Sequence, residues 1–330
     1  MAIGSGLGSS FGMAPEVTYG TYVAPTRWLE ATASLTKQKQ TYQGGGMAAG
    51  RMVQPGSRRY VTTRGASGSL STGVYSRGMG LLLNGLLGGT VAPVQQGATA
   101  AYLQTHALAD PIGKHYTMQA GVPDLGGTVR PYTYLGCQIA SAEFSCEVNG
   151  NLAATWQVTA RDVSEAQTLA APSYPTGLGE FHFGQATLLA GTYGAETAVD
   201  GVRSMSVTIE RPRHDGGPYM GNGGLRSQGV LNGWTGISGT IQADFLNKAD
   251  FADRFAADTP VSLVWEFVGP EIAPSYNETF RVRLPMVFFN GDTPNASGPA
   301  EVSTSFPFVA QHDGTHAPVT IEYVSADTTL

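Results

Sequence analysis

A strand, a helix and a second strand follow one another between residues 227 and 268, and this succession constrains the fold more than any other stretch. Over residues 235–245 apolar and polar side chains alternate, which is the period-2 pattern of a half-buried strand. Asn247 and Asp250 then fit the start of a short helix, because a side-chain oxygen caps free amides and an acid suits the first turn. Pro260 stops the helix, and the alternation resumes after it. The stretch predicts β-structure with a flanking helix.

A weaker copy of the same pattern lies in the first third of the chain. An alternating strand is followed by a helix whose apolar residues are spaced i, i+3, i+4, i+7 and i+8, and Gly88 suits its left-handed cap. The apolar positions of this helix are Met79, Leu82, Leu83, Leu86 and Leu87. We therefore expect an imperfect internal duplication of one strand-helix unit, at residues 58–90 and 229–268.

The composition favours a protein buried in an assembly. Only 13% of the 330 residues are charged and 44 are glycine, so the surface is unusually neutral for a soluble monomer. The formal net charge of −6 argues against sequence-specific DNA binding, because phosphate contacts need clustered Lys and Arg.

The charges are unevenly distributed along the chain. Residues 27–77 contain eight Lys or Arg and one acid, Glu30, whereas residues 241–330 contain four Lys or Arg and twelve Asp or Glu. Two interpretations stay open. In the first, the uneven distribution is compositional noise or reflects solvated faces. In the second, the basic and acidic ends are complementary surfaces in head-to-tail contacts between identical subunits.

Cysteine usage and hydropathy indicate a chain that stays in the cytosol. Cys137 and Cys146 are nine residues apart in one predicted strand, so they face opposite sides and should be free thiols in a reducing compartment. No stretch approaches the ~18 apolar residues of a membrane span, and the N-terminus lacks a signal peptide.

In chain order, residues 1–24 read as an N-terminal arm, and residues 25–330 as a single domain. Residues 90–136 predict a projecting loop or hairpin, with strands at 102–108 and 115–120. Residues 162–200 are loop-rich with one strand near 180–189.

Three shorter sequence signals add detail to the predicted secondary structure. Asn149-Gly150 between alternating strands is the best hairpin signal, because this dipeptide suits a type I′ turn. Residues 40–57 read as a Gly-rich loop that leads into a basic strand. Pro285 within a long strand implies an edge or a bulge.

The search for catalytic or ligand-binding motifs yields no constellation. His312 and His316 have the spacing of a helical zinc site, but Gly314 and Pro318 forbid a stable helix and no third ligand is signalled. Ser71 lies inside a predicted strand, without the strand-to-helix turn that a nucleophilic serine requires.

Other candidate sites have simpler structural interpretations. The glycines of residues 4–8 lack the preceding strand and the Lys of a phosphate loop. Glycosylation patterns at Asn277 and Asn295 mean little without secretion. Arg58 and Arg59 read better as an inter-subunit ion pair or solvated strand ends than as a phosphate site. We therefore expect no catalytic residue, no metal, no cofactor and no enzymatic activity.

A series of short sequence blocks occurs in a fixed order along nearly the whole chain. The blocks are Gly20 to Thr26, Ser57 to Arg59, the helix after Ser76-Arg77-Gly78, Gly121 to Pro123, Arg130 to Cys137, Asp313 to Thr315 and Ile321 to Tyr323. In this joint order the blocks resemble the major tail tube proteins of long-tailed, siphovirus-type bacteriophages, especially those that infect actinobacteria.

The resemblance implies a mainly β fold, a β-sandwich or partial barrel with one or two short flanking helices. It also implies that long hairpins complete a shared inner barrel in a ring of six copies, and that rings stack into the tail tube of the virion. The implied partners are the chain itself, the tape-measure protein, and the tail terminator and distal tail proteins. Double-stranded DNA would pass through the lumen without specific binding.

Two other classes of function stay open at this stage. A receptor- or glycan-binding β-sandwich on the virion would need exposed aromatics, for which Phe181, His182, Phe183 and Tyr174 are the candidates. An enzyme is the third class, and Ser71 would be its test.

Overall fold

The computed structural model describes residues 6–47, 50–89, 91–214, 216–249, 251–291 and 302–330. The helices of these residues are α1 (Gly80–Leu87) and α2 (Ala252–Ala256). The strands, in chain order, are β1 Ser10–Pro15, β2 Arg27–Trp28, β3 Ala31–Gln43, β4 Arg59–Gly73, β5 Val94–Gln95, β6 Tyr102–Ala107, β7 Tyr116–Pro123, β8 Val129–Glu147, β9 Ala153–Ala160, β10 Asp162–Ser164, β11 Ala186–Thr192, β12 Ala195–Ala198, β13 Val202–Glu210, β14 Gly236–Asp244, β15 Val261–Ala273, β16 Tyr276–Phe289, β17 Ser303–Ala310 and β18 Thr320–Ser325. The mainly β fold expected from the sequence is confirmed.

Eight strands of the described chain form one antiparallel run in the order β3-β4-β9-β8-β13-β14-β17-β16. The first halves of β8 and β16 leave this run and join two outer groups of strands. β7 and β10 flank β8, and β1 and β2 continue from β7. β15 and β18 flank β16, with β11 and β12 beyond β15, and β6 and β5 beyond β18.

Aromatic side chains fill the space between the run and the outer strands. The ring centroids of Phe144 on β8 and Phe280 on β16 are 5.6 Å apart, and Phe181 lies 6.3 Å from Phe267. Trp156 on β9 is fully buried and meets Phe144 edge to face. Burial of large apolar side chains of this kind stabilises a fold by about 1.5–3 kcal/mol each, so this layer is the core of a sandwich-like fold.

Helix α1 forms where the leucine spacing predicts it. All eight of its residues are buried, so the helix is covered on every side and is not merely packed on one. Gly88 has φ +83° and donates its backbone N–H to Asn84, which confirms the expected left-handed cap.

Helix α2 is shorter than expected and begins later. It starts at Ala252, so Asn247 is not its N-cap, and Asp250 lies outside the described residues. Phe251, the residue before the helix, is buried between Phe289 and Phe306. The aromatic contact fixes the position of this short helix, and sequence capping signals do not.

The predicted hairpin at Asn149-Gly150 is confirmed. β8 pairs with β9 across it, but the turn is not of type I′. Gly150 donates its N–H to the carbonyl oxygen of Glu147, so Val148 and Asn149 are the central residues, and of these only Asn149 has a positive φ, +62°. The bulge implied by Pro285 is also present, because the β15–β16 register shifts between Val261 and Leu263.

The prediction that residues 1–24 form an arm is wrong for β1, and residues 1–5 lie outside the described chain. β1 pairs with β7 along its whole length, and Phe11 and Met13 are buried. Gly12 permits this packing, because a Cβ there would lie 2.8 Å from the ring of Trp28. The glycine that suggested a flexible arm is a requirement of close packing.

The hairpin predicted within residues 90–136 is wrong as well, and Thr90 itself lies outside the described chain. β6 pairs with β18 and β5, whereas β7 pairs with β1 and β8, so the two strands belong to different outer groups. Short-range alternation predicts each strand but does not reveal its distant partner. In residues 162–200 the predicted strand is β11, which starts six residues later than expected, after a 3-10 turn at Phe183–Gln185.

Candidate functional site: an open strand edge and a projecting hairpin

The far half of the β3–β4 hairpin extends beyond the body of the fold. β4 pairs with β9 only from Ala66 to Gly73. Before Ala66, β4 pairs with β3 and, at Arg64, makes a single bridge to Leu225. The ends of β3 and β4 thus form a two-stranded ribbon, and a ribbon of this kind is marginally stable alone in water.

Large apolar side chains are exposed on this ribbon and its connecting loop. Tyr42, Tyr60 and Val61 are each more than half exposed. Met52 and Val53, in the loop, are 102% and 82% exposed. Tyr42 and Tyr60 lie opposite each other on one face of the ribbon, and Val61 lies on the other face. Large apolar side chains exposed together in one segment are typical of a protein–protein contact.

The outer edge of β3 is a second exposed surface. Within the described residues β3 pairs only with β4. A Cβ on Gly68 would meet the carbonyl oxygen of Ser34, and Gly44 donates its N–H to Arg58, so the even-numbered residues of β3 turn their polar groups toward β4. Because these groups alternate along a strand, Ala33, Leu35 and Lys37 turn theirs to the other side. There the carbonyl oxygen of Leu35 accepts a hydrogen bond from the Tyr134 hydroxyl at 2.8 Å, and the backbone N–H groups of the three residues point to the open side. Such an edge is a ready template for another strand.

The basic and acidic ends of the sequence have different environments. Lys37 and Lys39 lie on the exposed ribbon, while Arg58 donates to the carbonyl oxygen of Gly45 at 2.9 Å. Many acids of the C-terminal third are already paired within the chain. The pairs are Asp244 with Arg203, Asp253 with Lys248, Asp327 with Arg77, and both Glu266 and Glu322 with Arg281. The ribbon is therefore a more exposed charged surface than the acidic end.

A buried arginine ties the loop after β13 to helix α1. Arg211 is 1% exposed and donates to the carbonyl oxygens of Leu86, Leu87 and Ala109 at 3.0, 3.0 and 2.6 Å. Burial lowers the pKa of its guanidinium, and the charge of Asp110 opposes that shift. A cation at the C-terminal end of a helix satisfies carbonyls that have no partner within the helix.

The histidine and serine candidates are structural. The Nδ1 atom of His316 lies 2.6 Å from Oδ2 of Asp313, and this contact, with backbone donors, lowers the pKa of that carboxyl. The described residues contain no group of three His, Cys, Asp or Glu that could hold a metal ion. Ser71 lies inside β4, two residues before its end, opposite Thr32 on one side and Thr155 on the other. Residues 4 and 5 of the glycine-rich segment are outside the described chain.

The two cysteines are free, as the sequence predicts. Both belong to the hydrophobic core, which the sequence analysis did not anticipate. Burial raises the pKa of the Cys137 thiol, and raises that of Cys146 to about 11. Both are therefore protonated, unreactive thiols at neutral pH.

The aromatic candidates for glycan binding do not form an exposed patch. Phe181 is 2% exposed and packs in the core, and Phe183 is packed against it. His182 caps the 3-10 turn that precedes β11, and Tyr174 contacts Trp28 instead. Asn277 lies on β16 and donates to the carbonyl oxygen of Gly269, while Asn295 is outside the described residues.

A buried histidine predicts a loss of stability in acid. His106 on β6 is fully buried beside Gln104, and burial lowers its pKa from 6.5 to about 4. The unfolded chain binds this proton more readily, so the contribution of His106 is complete above pH 6.5 and is lost as the pH falls toward 4. From pH 7 to 4.5 the free energy of unfolding should fall by about 2 kcal/mol more in the wild type than in His106→Leu.

Urea unfolding of both proteins at the two pH values measures this difference. His312→Leu, at an exposed position, is the control and should keep the wild-type pH dependence. An equal pH dependence in His106→Leu and the wild type would exclude His106 as the cause.

Comparison with known proteins gives the family. The family model described as phage tail tube protein matches residues 6–310. The chain belongs to this family of phage tail tube proteins. It is therefore a structural component of a virion that assembles with itself into a tube. No curated protein matches the chain, and no helix among the described residues is long and apolar enough to cross a membrane.

Proposed function

We propose that the chain polymerises as stacked rings that form the tail tube of a long-tailed, siphovirus-type phage, the conduit for its double-stranded DNA. The observation that carries this proposal is the open outer edge of β3, which lies at one end of the antiparallel run. The other end of that run is β16. A sheet with free ends can close on copies of itself, and closure removes the exposed edges.

The projecting ribbon supports the stacking of rings. Its apolar residues, which include Tyr42, Tyr60 and Val61, are exposed to solvent and are not part of the hydrophobic core. Burial of side chains of this size against a neighbouring ring would stabilise the contact by about 1.5–3 kcal/mol for each one fully covered. The ribbon is a better candidate for this contact than β7, because most residues of β7 are buried.

The acidic balance of the chain suits a conduit. A wall rich in Lys and Arg would retain phosphates that must slide past it, and the formal net charge here is −6. The tape-measure protein would occupy the lumen before DNA, and the tail terminator and distal tail proteins would contact the two ends. Assembly in the cytoplasm of an actinobacterial host completes the proposal. The chain acts by assembly and not by catalysis, without a cofactor.

Electron microscopy of the purified protein tests this function. Hollow tubes or rings are expected at high concentration. A variant that lacks residues 41–62, with Gln40 and Thr63 joined by a short Gly-Ser turn, loses the exposed apolar residues of the ribbon and should give rings that do not elongate. A wild-type protein that stays a monomer at every concentration would contradict the proposal, and normal tubes from the deletion would exclude the ribbon as the stacking element.

A further inference from the structure

The strand pairings of the first half of the chain repeat in the second half. In chain order, β1 to β4 and β7 to β10 correspond one by one to β11 to β18. Every pairing within the first set has its counterpart in the second. The first set pairs as β1–β2, β1–β7, β3–β4, β4–β9, β7–β8, β8–β9 and β8–β10. The second set pairs as β11–β12, β11–β15, β13–β14, β14–β17, β15–β16, β16–β17 and β16–β18.

The correspondence extends to single residues. The β7–β8 register skips one residue between Tyr116 and Met118, and the β15–β16 register skips one residue between Val261 and Leu263. A helix follows β4 and another follows β14. A shared irregularity at the same place is stronger support for duplication than shared order alone, because bulges are specific features of a fold.

A short sequence match accompanies the shared geometry. Residues 65–70 read Gly-Ala-Ser-Gly-Ser-Leu, and residues 236–241 read Gly-Ile-Ser-Gly-Thr-Ile. A Cβ on Gly68 would lie 2.0 Å from the carbonyl oxygen of Ser34, and one on Gly239 would lie 2.1 Å from that of Ser206. The same close approach of two strands thus requires glycine at the same place in each half.

The two halves are joined by one strand pairing. The second half of β8 pairs with β13, with Ser141 opposite Glu210. β13 corresponds to β3, and β8 corresponds to β16. Gln38 is the counterpart of Glu210, and Gly291 is the counterpart of Ser141, so an equivalent contact would place Gln38 opposite Gly291. Within one chain these two residues lie at opposite ends of the run. β16 pairs with β15 no further than Val287, so the end of β16 is open on that side in the described chain.

We propose that the outer edge of β3 pairs with a second copy at the β16 end of its run, in the register that joins β13 to β8, so that Gln38 meets Gly291, the last residue described before Val302. Each chain is then two tube units in tandem, and three chains, not six, close a ring of six units. This inference rests on the proposed function and changes the copy number that the family resemblance implies. β5 and β6, which have no counterpart in the second half, lie beyond β18 at the outside of the unit.

The width of the resulting barrel supports three chains. Eight strands per chain in the run give 24 strands for three chains and 48 for six. With strands about 4.8 Å apart and a tilt of about 40°, these barrels are about 48 Å and about 96 Å across at the backbone. The narrower one admits a single duplex once inward side chains are counted, whereas the wider one would admit several.

The two units differ at their projecting ends, so the ring would have three-fold symmetry only. The first unit carries the long β3–β4 ribbon. In the second unit, β13 ends at Glu210, and Arg211 holds the following loop against helix α1. Three ribbons would therefore project from each ring, at every second unit.

Reconstruction of purified tubes by electron cryomicroscopy tests the copy number. We expect three-fold symmetry with six similar units per ring. Rings of six chains would overturn this inference and leave the tube function intact, whereas a protein that forms neither rings nor tubes would overturn both.

Label counting provides a second measurement that does not depend on imposed symmetry. Ala171→Cys, in an exposed loop, offers one accessible thiol per chain, because Cys137 and Cys146 are buried. A maleimide label should give three labels per ring by mass measurement. The unmutated protein is the control and should give none, and six labels per ring would contradict the inference.

Discussion

Lys37→Pro is expected to abolish tube formation and leave the subunit folded. Lys37 turns its backbone N–H to the open side of β3, so proline there removes a donor that a second copy needs but no donor of the β3–β4 ladder. The side chain is exposed and makes no contact with the core. Assembly should fall below detection in sedimentation and microscopy, while the melting temperature of the free subunit changes little.

Lys37→Gln is the matched control for this experiment. It removes the charge and keeps the N–H, so it should assemble like the wild type. Tubes from Lys37→Pro, at wild-type yield, would show that this edge is not used. A large fall in the melting temperature of the free subunit would show instead that the proline damages the hairpin, and Ala33→Pro would then repeat the test on the same edge.

Gly68→Ala is expected to prevent folding, although the substitution adds only one methyl group. The new Cβ would lie 2.0 Å from the carbonyl oxygen of Ser34 and 2.9 Å from Cα of Leu35, and backbone atoms cannot yield as a side chain can. Overpacking of a core costs about 1–3 kcal/mol and sometimes more, and a clash with backbone belongs to the upper end. We expect a loss of about 3 kcal/mol or more, measured as the free energy of unfolding in urea or as loss of soluble protein.

Gly56→Ala is the control for Gly68→Ala. A Cβ on Gly56 would meet nothing within 4 Å, so this variant should keep wild-type stability. Gly239→Ala should be as damaging as Gly68→Ala, because the two glycines occupy the same place in the two halves of the chain. A soluble Gly68→Ala protein with wild-type stability would contradict the strand spacing described here.

Local patterns in the sequence predict the elements that depend on local interactions. The Asn149-Gly150 hairpin, helix α1 with its Gly88 cap, and the bulge near Pro285 all follow from residues close to one another in the chain. Helix α2 starts where Phe251 meets two distant phenylalanines, and no capping residue marks that point.

Elements that depend on distant partners are not predictable in this way. The sequence of β1 predicts a flexible arm, because Gly12 and the residues around it suggest flexibility. In the structure Gly12 instead allows the ring of Trp28 to pack closely against β1. β6 and β7 read as one hairpin, because each alternates and a turn joins them. Their true partners, β18 and β1, are far away in the sequence, and alternation carries no information on partner choice.

The candidate site was partly visible in the sequence. The run of basic residues and the glycine-rich loop of residues 40–57 indicated an exposed segment. In the structure two long strands, β3 and β4, are connected by this loop. The open edge of β3 was not visible, since an edge is defined by the absence of a partner elsewhere in the chain. The strand-helix duplication expected at residues 58–90 and 229–268 is a part of the tandem units, and the match of residues 65–70 with 236–241 is the sequence signal that could have extended it.

The most direct test of the account is a near-atomic reconstruction of assembled tubes that resolves the backbone on both sides of β3. The account predicts that the N–H groups of Ala33, Leu35 and Lys37 are hydrogen-bonded to a strand of a second copy, which continues the antiparallel run from one chain to the next. A tube in which the outer edge of β3 faces solvent, or packs only through side chains, would contradict it.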